Sequence, residues 1–383
     1  MKRTFAITLI LALLLALAGM PLNADGHERW DGSDELEVNP LACGMGDEMM
    51  DDDDGMEEDM EMMEYDGGMV AMGDDMAGMD IVVVDVPKLI GIGYFGATTL
   101  GQQQAAEELG NVSVTTDGPT DANIDDQIQV IDSYITQGVN GILFAANDPV
   151  AIAPVLRKAL EAGIYVVGYD ANSEPDARQW FVNQAEFNGI GKAVIDSLVD
   201  QKGADASFGI VTSTFTTPNQ ARWVSEMWAY ATECYPDLEW LETLEAQEDA
   251  GLSFQQAQTL INKYGDDLDG IVGLTSVATP ASADAVNQAG VCEDVAVVGL
   301  ALPNAMKPYV STGCVRDVIL WNPVDLGYAA LYVLRAAVDG EFQPGDSSVM
   351  AGKLGELTVV NGSEVLLGPP FVYNMDNIDD FDF

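Results

Sequence analysis

Histidine is almost absent from this sequence. Its 383 residues include a single histidine, His27, which lies in a polar stretch near the N-terminus. A Ser-His-Asp triad, a histidine general base and a histidine-ligated metal are therefore not expected in the folded part of the chain. Enzymes whose chemistry uses carboxylates or lysine are not excluded by this scarcity.

Basic residues are also scarce. The chain has 15 Lys and Arg against 63 Asp and Glu, which gives a formal net charge of −48. Residues 1–80 hold 21 of the acids and 3 of the bases, which leaves 42 acids and 12 bases in residues 81–383. This excess argues against nucleic acid as a partner, because phosphate binding needs clusters of Lys and Arg. Two explanations of the acidity stay open, a high-salt environment and an ordinary acidic exported protein.

Long apolar runs are confined to the N-terminus. Met1-Lys2-Arg3 precedes a largely apolar run from Phe5 to about Leu17, which is too short for a full membrane span. A basic start followed by such a run is typical of a signal peptide, which we predict over residues 1–24. Cleavage is expected at Leu22-Asn23-Ala24 or at Ala16-Leu17-Ala18. The mature protein is therefore expected to be exported, either periplasmic or at the cell surface.

The four cysteines allow more than one interpretation. Cys43 lies in Leu41-Ala42-Cys43-Gly44, a sequence similar to a bacterial lipobox, which suggests a lipid anchor at Cys43. The alternative is an unmodified thiol in the N-terminal tail. Cys292 and Cys314 form either a disulfide in an oxidising compartment or two buried free thiols, and the sequence leaves both open.

Residues 25–80 form an acidic, methionine-rich segment. Asp, Glu, Met and Gly make up almost all of residues 44–80, with few aromatic or β-branched side chains. Such a composition cannot bury a core, so we expect a disordered, solvated linker. Capture of a soft metal by methionine thioethers is the alternative, although the methionines have no regular spacing.

From about residue 81, short apolar runs end at polar residues in a regular rhythm. The run 141–146 stops at Asn147, and the run 164–168 is followed by Asp170. Continuous short runs of this kind indicate strands buried in parallel sheets, with helices between them. Strands are predicted over 86–92, 112–116, 141–146, 164–168, 208–212, 238–244, 270–273 and 295–299, and helices over 98–109, 125–137, 150–162, 219–233, 252–264 and 280–289. The pattern predicts an α/β protein with two doubly wound parallel-sheet lobes and a cleft between them.

Residues 85–383 resemble the type I periplasmic sugar-binding proteins of ABC importers, most closely the branch of the rhamnose-binding proteins and the autoinducer-2 receptor. The segments that carry the resemblance are Pro87–Phe95, Asp117–Thr120 with Gln127–Gln129, Asn219-Gln220 with Trp223, Pro303–Val310, Leu320–Asn322 and Asn377–Phe383. The resemblance implies two lobes that close on a ligand about a hinge. We expect an N-terminal lobe at 81–184 with a returning segment at about 320–345, and a C-terminal lobe at 185–319 with the C-terminal segment at about 346–383.

The resemblance also implies ligand contacts. Lys88, Asp170 and the pair Asn219-Gln220 fall on positions similar to ligand contacts in the autoinducer-2 receptor. That receptor has Asp-Gln at the pair and Pro-Asp-Ala where this chain has Leu274-Thr275-Ser276. Both departures favour a sugar over autoinducer-2.

Sugar chemistry adds further candidates. Hydroxyl groups need carboxylates and amides at fixed angles, and the C–H face of a sugar packs on aromatic rings. Asn147 and Asn322 are candidate amides, and Tyr94, Phe95 and Trp321 are candidate stacking surfaces. The predicted ligand-binding residues are therefore Lys88, Tyr94, Phe95, Asn147, Asp170, Asn219, Gln220, Thr275, Trp321 and Asn322.

These observations predict an extracytoplasmic solute-binding protein that captures a rhamnose-like or other monosaccharide and delivers it to an ABC permease. It would act as a monomer, with no catalysis, no cofactor, no metal and no nucleic-acid partner. The alternative is an autoinducer-2 receptor. A carboxylate-based sugar hydrolase would need paired carboxylates at neighbouring strand ends, and the sequence places only Asp170 well for that role. A transcriptional regulator is disfavoured by the export signal and the absence of a basic DNA-reading module.

Overall fold

The computed structural model describes residues 41–43, 64–71 and 76–383. The predicted signal peptide and most of the acidic linker lie outside these residues. Strands and helices alternate from residue 81 onward, and the expected α/β class with doubly wound parallel sheets is confirmed. Within the described residues, none of the helices combines the length and the apolar character that a bilayer crossing requires.

The first lobe is built on an eight-stranded sheet with the strand order β11-β12-β13-β5-β4-β3-β1-β2. Neighbours from β13 to β2 are parallel, whereas β11, β12 and β13 pair antiparallel at one edge. Its elements are β1 Ile81–Val86, α1 Gly93–Leu109, β2 Val112–Thr116, α2 Ile124–Gln137, β3 Gly141–Phe144, α3 Pro149–Glu161, β4 Tyr165–Tyr169, β5 Trp180–Asn183, α9 Pro323–Val338, β11 Ser348–Met350, β12 Glu356–Val360 and β13 Glu364–Leu366.

The second lobe has a parallel four-stranded sheet, β7-β6-β8-β9, and a separate antiparallel pair, β10-β14. Its elements are α4 Phe187–Lys202, β6 Ser207–Thr212, α5 Pro218–Cys234, β7 Glu239–Glu245, α6 Ala250–Tyr264, β8 Gly270–Gly273, α7 Ala278–Ala289, β9 Ala296–Gly299, α8 Pro303–Thr312, β10 Val318–Leu320 and β14 Phe371–Tyr373. The chain crosses between the lobes after β5, after β10 and after β13, and these three connections form the hinge.

The strands of the first lobe are buried on both faces, as their continuous apolar sequences predict. Val83 and Leu143 pack into the core that contains Leu334 of α9, whereas the adjacent Val84 and Ile142 pack into a second core with α2 and α3. Alternate residues of a strand point to opposite faces, so a strand covered by helices on both sides has no polar face.

Two expectations about the chain segments are wrong in part. The first strand ends at Val86, before the predicted strand 86–92, because Pro87 has no amide hydrogen to donate to a neighbouring strand. Residues 87–92 form a loop instead. The segment 346–383 does not belong wholly to the second lobe, since β13 pairs with β5 and buries Val365 in the larger sheet.

Part of the acidic segment is ordered, contrary to expectation. The Tyr65 ring packs on Trp180 with ring centroids 5.1 Å apart, and its hydroxyl donates to the carbonyl of Gln179 at 2.9 Å. The Gly68 amide donates to the carbonyl of Arg178 at 2.7 Å. Residues 64–71 therefore bind the first lobe just ahead of β1.

All four cysteines form disulfides, Cys43 with Cys234 and Cys292 with Cys314. The bond to Cys234, at the end of α5, occupies the sulfur atom that a lipid thioether would need. The lipid anchor expected at Cys43 is therefore incompatible with this structure. Cys292 and Cys314 form a disulfide, so of the two alternatives the structure supports the bond and not the free thiols.

Helices α1 and α9 approach closely where each has a glycine. A Cβ atom at Gly101 would lie 1.8 Å from the carbonyl oxygen of Val324, and one at Gly327 would lie 2.0 Å from that of Thr98. Any side chain at either position would force the helices apart. This contact fixes α1, whose first turn carries Tyr94 and Phe95.

We expect Gly101→Ala to lower the free energy of unfolding by about 1–3 kcal/mol, because the added methyl group overpacks the contact between α1 and α9. Gly96→Ala, on the same helix, is the matched control: Gly96 is exposed and a Cβ there meets nothing within 4 Å. Alanine at Gly96 should stabilise by up to about 1 kcal/mol. Urea titrations of both variants measure the difference, and equal stabilities would contradict the packing argument.

Candidate functional site

A cavity lies between the two lobes at the carboxyl ends of their parallel strands. It contains about 360 Å³ of empty space, including the part open to solvent. Small-molecule sites in α/β proteins typically occur at this edge of the sheets. Its walls come from loops after β1, β4, β7, β8 and β9, from the first turns of α1 and α5, and from the end of β10. The lining residues are Lys88, Ile92, Tyr94, Phe95, Asp170, Asn219, Gln220, Trp223, Glu248, Leu274, Thr275, Ser276, Leu300, Leu320 and Trp321.

A buried ion pair lies on the first-lobe wall. The Lys88 ammonium is 2.7 Å from Oδ2 of Asp170, and their side chains are 5% and 4% exposed. Asp170 directly follows β4 and has a left-handed backbone with φ of 61°, which aspartate tolerates better than most residues. Each charge is neutralised by the other, as a buried charge requires.

A chain of hydrogen bonds extends from this pair to the aromatic wall. The Tyr94 hydroxyl donates to Oδ1 of Asp170 at 3.0 Å, and Nε1 of Trp321 donates to the Tyr94 oxygen at 2.9 Å. Burial, reinforced by the nearby Asp170 charge, raises the pKa of Tyr94 well above its usual value. Tyr94 therefore keeps its proton and acts as a donor. The chain holds Asp170 and the Trp321 ring in fixed positions.

Asn219, in the first turn of α5, reaches the ion pair from the second lobe. Its Nδ2 atom donates to Oδ1 of Asp170 at 3.3 Å, and its Oδ1 atom accepts from the Lys88 ammonium at 3.4 Å. One amide thus bonds both members of the pair across the cleft. These two long hydrogen bonds join the lobes across the cleft.

Gln220 and Thr275 line the second-lobe wall. Oε1 of Gln220 accepts from the Thr212 hydroxyl at 2.6 Å and from the Ser213 amide at 2.8 Å, which fixes the orientation of its side-chain amide. Oγ1 of Thr275 accepts from the amides of Val277 and Ala278 at the start of α7. The end of β6 therefore orients the Gln220 side chain, and the start of α7 orients that of Thr275.

The cavity contains a second carboxylate, Glu248, which was not predicted from the sequence. It follows β7 by three residues, much as Asp170 follows β4, and this strand-end position was the available signal. Oε1 of Glu248 accepts from Nε2 of Gln220 at 3.4 Å. Burial raises the pKa of Glu248, and the Lys88 charge partly opposes that rise.

Of the ten predicted site residues, the structure places eight around this cavity and two outside it. Asn147 lies behind the wall, where its Nδ2 atom donates to the Lys88 carbonyl at 2.8 Å. Asn322 caps α9, accepting from the amides of Val324 and Asp325. Both amides are used by backbone groups, so the expectation that they line the ligand cavity is wrong.

The loop that carries Lys88 rests on Gln127, which is fully buried on α2. Its Nε2 atom donates to the carbonyls of Val86, Pro87 and Ala145, at 3.3, 3.1 and 2.8 Å. Its Oε1 atom accepts from the amide and the side chain of Asn147, at 3.1 and 3.2 Å. One side chain therefore satisfies the polar groups at the ends of two strands.

Another carboxylate, Asp85 of β1, is fully buried beneath the site. Thr116 donates to its Oδ2 atom at 3.3 Å, and Tyr169 and Gln102 also interact with the carboxylate. Burial is the main effect on Asp85 and raises its pKa from the ordinary 3.8 to about 7. The carboxyl therefore keeps its proton to a higher pH than an exposed aspartate does.

Comparisons with known proteins identify a matching family and several relatives. A family model described as a periplasmic binding protein domain matches residues 83–342. A D-ribose/D-allose-binding protein of Pseudomonas aeruginosa is 27% identical over 218 residues, which are 55% of this chain and 66%, slightly less than two thirds, of that protein.

Two solved structures are also similar. A sugar ABC transporter protein from Actinomyces odontolyticus has 32% identity and a TM-score of 0.65, covering 80% of this chain and 100% of that one. An ABC transporter solute-binding protein from Clostridium phytofermentas, solved with bound L-rhamnose, has 26% identity and a TM-score of 0.75, covering 79% of this chain and 98% of that one.

We expect Gln127→Leu to lower the free energy of unfolding by about 3 kcal/mol, because it leaves several buried carbonyl and amide groups without partners. Gln129→Leu is the matched control on the same helix, since Gln129 is exposed. Chemical denaturation of the two variants measures the difference. A loss below about 1 kcal/mol for Gln127→Leu would contradict the supporting role of this side chain.

The Asp85 carboxyl should make stability depend on pH. The folded state holds its proton up to about pH 7, whereas the unfolded chain releases it near 3.8. Stability is therefore lost as the pH rises from about 4 to 7, by about 4 kcal/mol from this group. Asp85→Asn removes the titration and should flatten that fall. Urea titrations at several pH values test this, and Asp121→Asn, at an exposed site, is the control. If the free energy of unfolding of Asp85→Asn falls with pH as steeply as that of the wild type, the prediction is refuted.

Proposed function

Because the chain belongs to the periplasmic binding protein family, we propose that it captures a sugar outside the membrane and delivers it to an ABC permease. The family consists of substrate-binding proteins rather than enzymes. The observation that carries the proposal is the cavity between the lobes, where an ion pair, amides and indole rings converge.

The cavity matches the chemistry of a monosaccharide. Each sugar hydroxyl both donates and accepts a hydrogen bond, and Asp170, Asn219 and Gln220 supply fixed acceptors and donors. Hydrogen bonds to the charged Asp170 and Lys88 are stronger than those between neutral groups. The indole rings of Trp321 and Trp223, with centroids 5.7 Å apart, offer apolar area for the C–H face of the sugar ring.

Capture follows from lobe movement about the three hinge connections. In the open state, the cleft would admit the sugar to the Lys88–Asp170 pair on the first lobe. Closure would then bring Asn219 and Gln220 of the second lobe onto it, and the permease would recognise the closed shape. The long hydrogen bonds of Asn219 to the pair would be replaced by bonds to sugar hydroxyls. The eight cavity residues predicted from the sequence are proposed as ligand contacts, and the protein as an exported monomer.

A binding panel tests the proposal. We expect L-rhamnose, D-ribose or D-fucose to raise the melting temperature of the full chain, because a ligand that binds the folded state at 100 times its Kd adds about 2.7 kcal/mol. A shift with autoinducer-2 alone would instead support the signalling receptor. No shift with any of these compounds would refute sugar capture by this cavity.

Asp170→Ala should weaken binding of the tightest sugar at least 100-fold, since it removes an acceptor held by Lys88, Tyr94 and Asn219 and leaves the Lys88 charge buried and unpaired. Calorimetric titration measures the affinity. Asp148→Ser is the control, because Asp148 follows the neighbouring strand but caps α3, a role that serine retains. Unchanged affinity in Asp170→Ala would remove Asp170 from the site.

A further inference from the structure

The second-lobe wall of the cavity has an acceptor that lacks a donor. The Glu248 residue as a whole is half-buried, but its Oε2 atom is shielded from solvent and has no partner at normal hydrogen-bond geometry, although the Thr275 hydroxyl also interacts with this carboxyl. Oε1 is held by Gln220. Both Gln247 and Glu248 have left-handed backbones, with φ of 52° and 57°, an arrangement that is unfavourable for non-glycine residues. The loop after β7 thus places this carboxyl in the cavity against local preference.

The same wall has a donor that lacks an acceptor. Nε1 of Trp223 is buried without a partner, and the Trp223 side chain is 3% exposed. A buried tryptophan N–H usually finds an acceptor, and an unsatisfied buried polar group costs about 1–3 kcal/mol. The two residues that carry these unpaired atoms, Glu248 and Trp223, therefore line one cavity, on the lobe opposite the Lys88–Asp170 pair.

The charges around Glu248 restrict which ligand groups can donate a hydrogen bond to it. The charged groups that face it are Lys88 and Asp170, and Lys88 already pairs with Asp170 at 2.7 Å. The site thus holds two carboxyl groups and one ammonium. A ligand carboxylate or phosphate would add an acceptor where a donor is needed, and like charges in a buried site repel strongly. A hydroxyl group supplies a donor for Oε2 of Glu248 and an acceptor for Nε1 of Trp223.

We propose that Glu248 and Trp223 form a specificity element that selects an uncharged sugar by its hydroxyl groups and rejects sugar acids and sugar phosphates. This inference rests on the proposed function of the same cavity. In this proposal, the first lobe binds the sugar through a neutralised ion pair. The second lobe discriminates against ligands that carry a negative charge.

The test compares each neutral sugar with a charged counterpart in the full chain. The pairs are D-fucose with D-galacturonate, L-rhamnose with L-mannuronate, and D-ribose with D-ribose 5-phosphate. In the wild type, calorimetry should show the neutral member binding at least 100-fold more tightly. Glu248→Gln keeps the shape of the side chain and removes its charge, so the neutral sugar should bind about tenfold more weakly and its preference over the charged member should fall at least tenfold.

Two further variants complete the test. Trp223→Phe removes the indole donor while keeping an aromatic ring, and should weaken the neutral sugar about tenfold without changing the preference for it. Gln247→Asn is the matched control, since Gln247 is exposed in the same loop and asparagine tolerates its left-handed backbone. It should leave both affinities unchanged.

The outcomes separate this inference from the proposed function. If no neutral sugar binds the wild type, the proposed function fails, and the inference fails with it. If a neutral sugar binds and Glu248→Gln retains the wild-type preference, sugar capture stands and the role of Glu248 is refuted. Equal binding of a sugar and its charged counterpart by the wild type would likewise leave sugar capture standing and refute the selection against charge.

Discussion

The buried ion pair between Lys88 and Asp170 is the interaction on which the rest of the site depends. Removing one member of such a pair leaves an uncompensated charge in a low-dielectric interior, which typically costs about 3–5 kcal/mol. The surrounding structure satisfies each member separately. Tyr94 and Asn219 donate to Asp170, whereas the Lys88 loop is held through Asn147 and Gln127. The pair gives the first-lobe wall strong polar groups without net charge.

The hydrogen bonds between the lobes are weaker than the ion pair between Lys88 and Asp170. The two hydrogen bonds from Asn219 measure 3.3 and 3.4 Å, longer than the usual length of about 2.9–3.0 Å for nitrogen donors. Bonds of this length contribute little, and the 2.7 Å ion pair lies wholly on the first lobe. A movement that separated the lobes would therefore break the long Asn219 bonds and leave the ion pair intact.

The local sequence pattern was enough to predict most of the strands and helices. Buried parallel strands have continuous apolar sequences, and ligands bind at their carboxyl ends, so the strands and the strand-end position of Asp170 could be predicted from the pattern. Asn219 lies on the other lobe, and only the family resemblance placed it in the same site. The failures have physical causes. Asn147 and Asn322 occur at strand ends too, but their amides satisfy backbone groups, and the sequence does not distinguish a ligand amide from a capping amide.

Glu248 was missed because the direction of its side chain depends on two residues with left-handed backbones. Glutamine and glutamate do not indicate such a conformation. The segment that holds β11–β13 was assigned to the second lobe because nothing local indicates that β13 pairs with β5, which lies far earlier in the chain.

The disulfide between Cys43 and Cys234 also determines how mechanical load enters the molecule. Polypeptide ahead of Cys43 is joined covalently to the end of α5 in the second lobe, whereas residues 64–71 bind the first lobe. A pull on the N-terminal side of Cys43 is therefore carried by the sulfur bridge into the second lobe and does not peel β1 from the larger sheet. Reduction of that one bond would transfer the same force to the hydrogen bonds around Tyr65 and Gly68, and from there to the first strand.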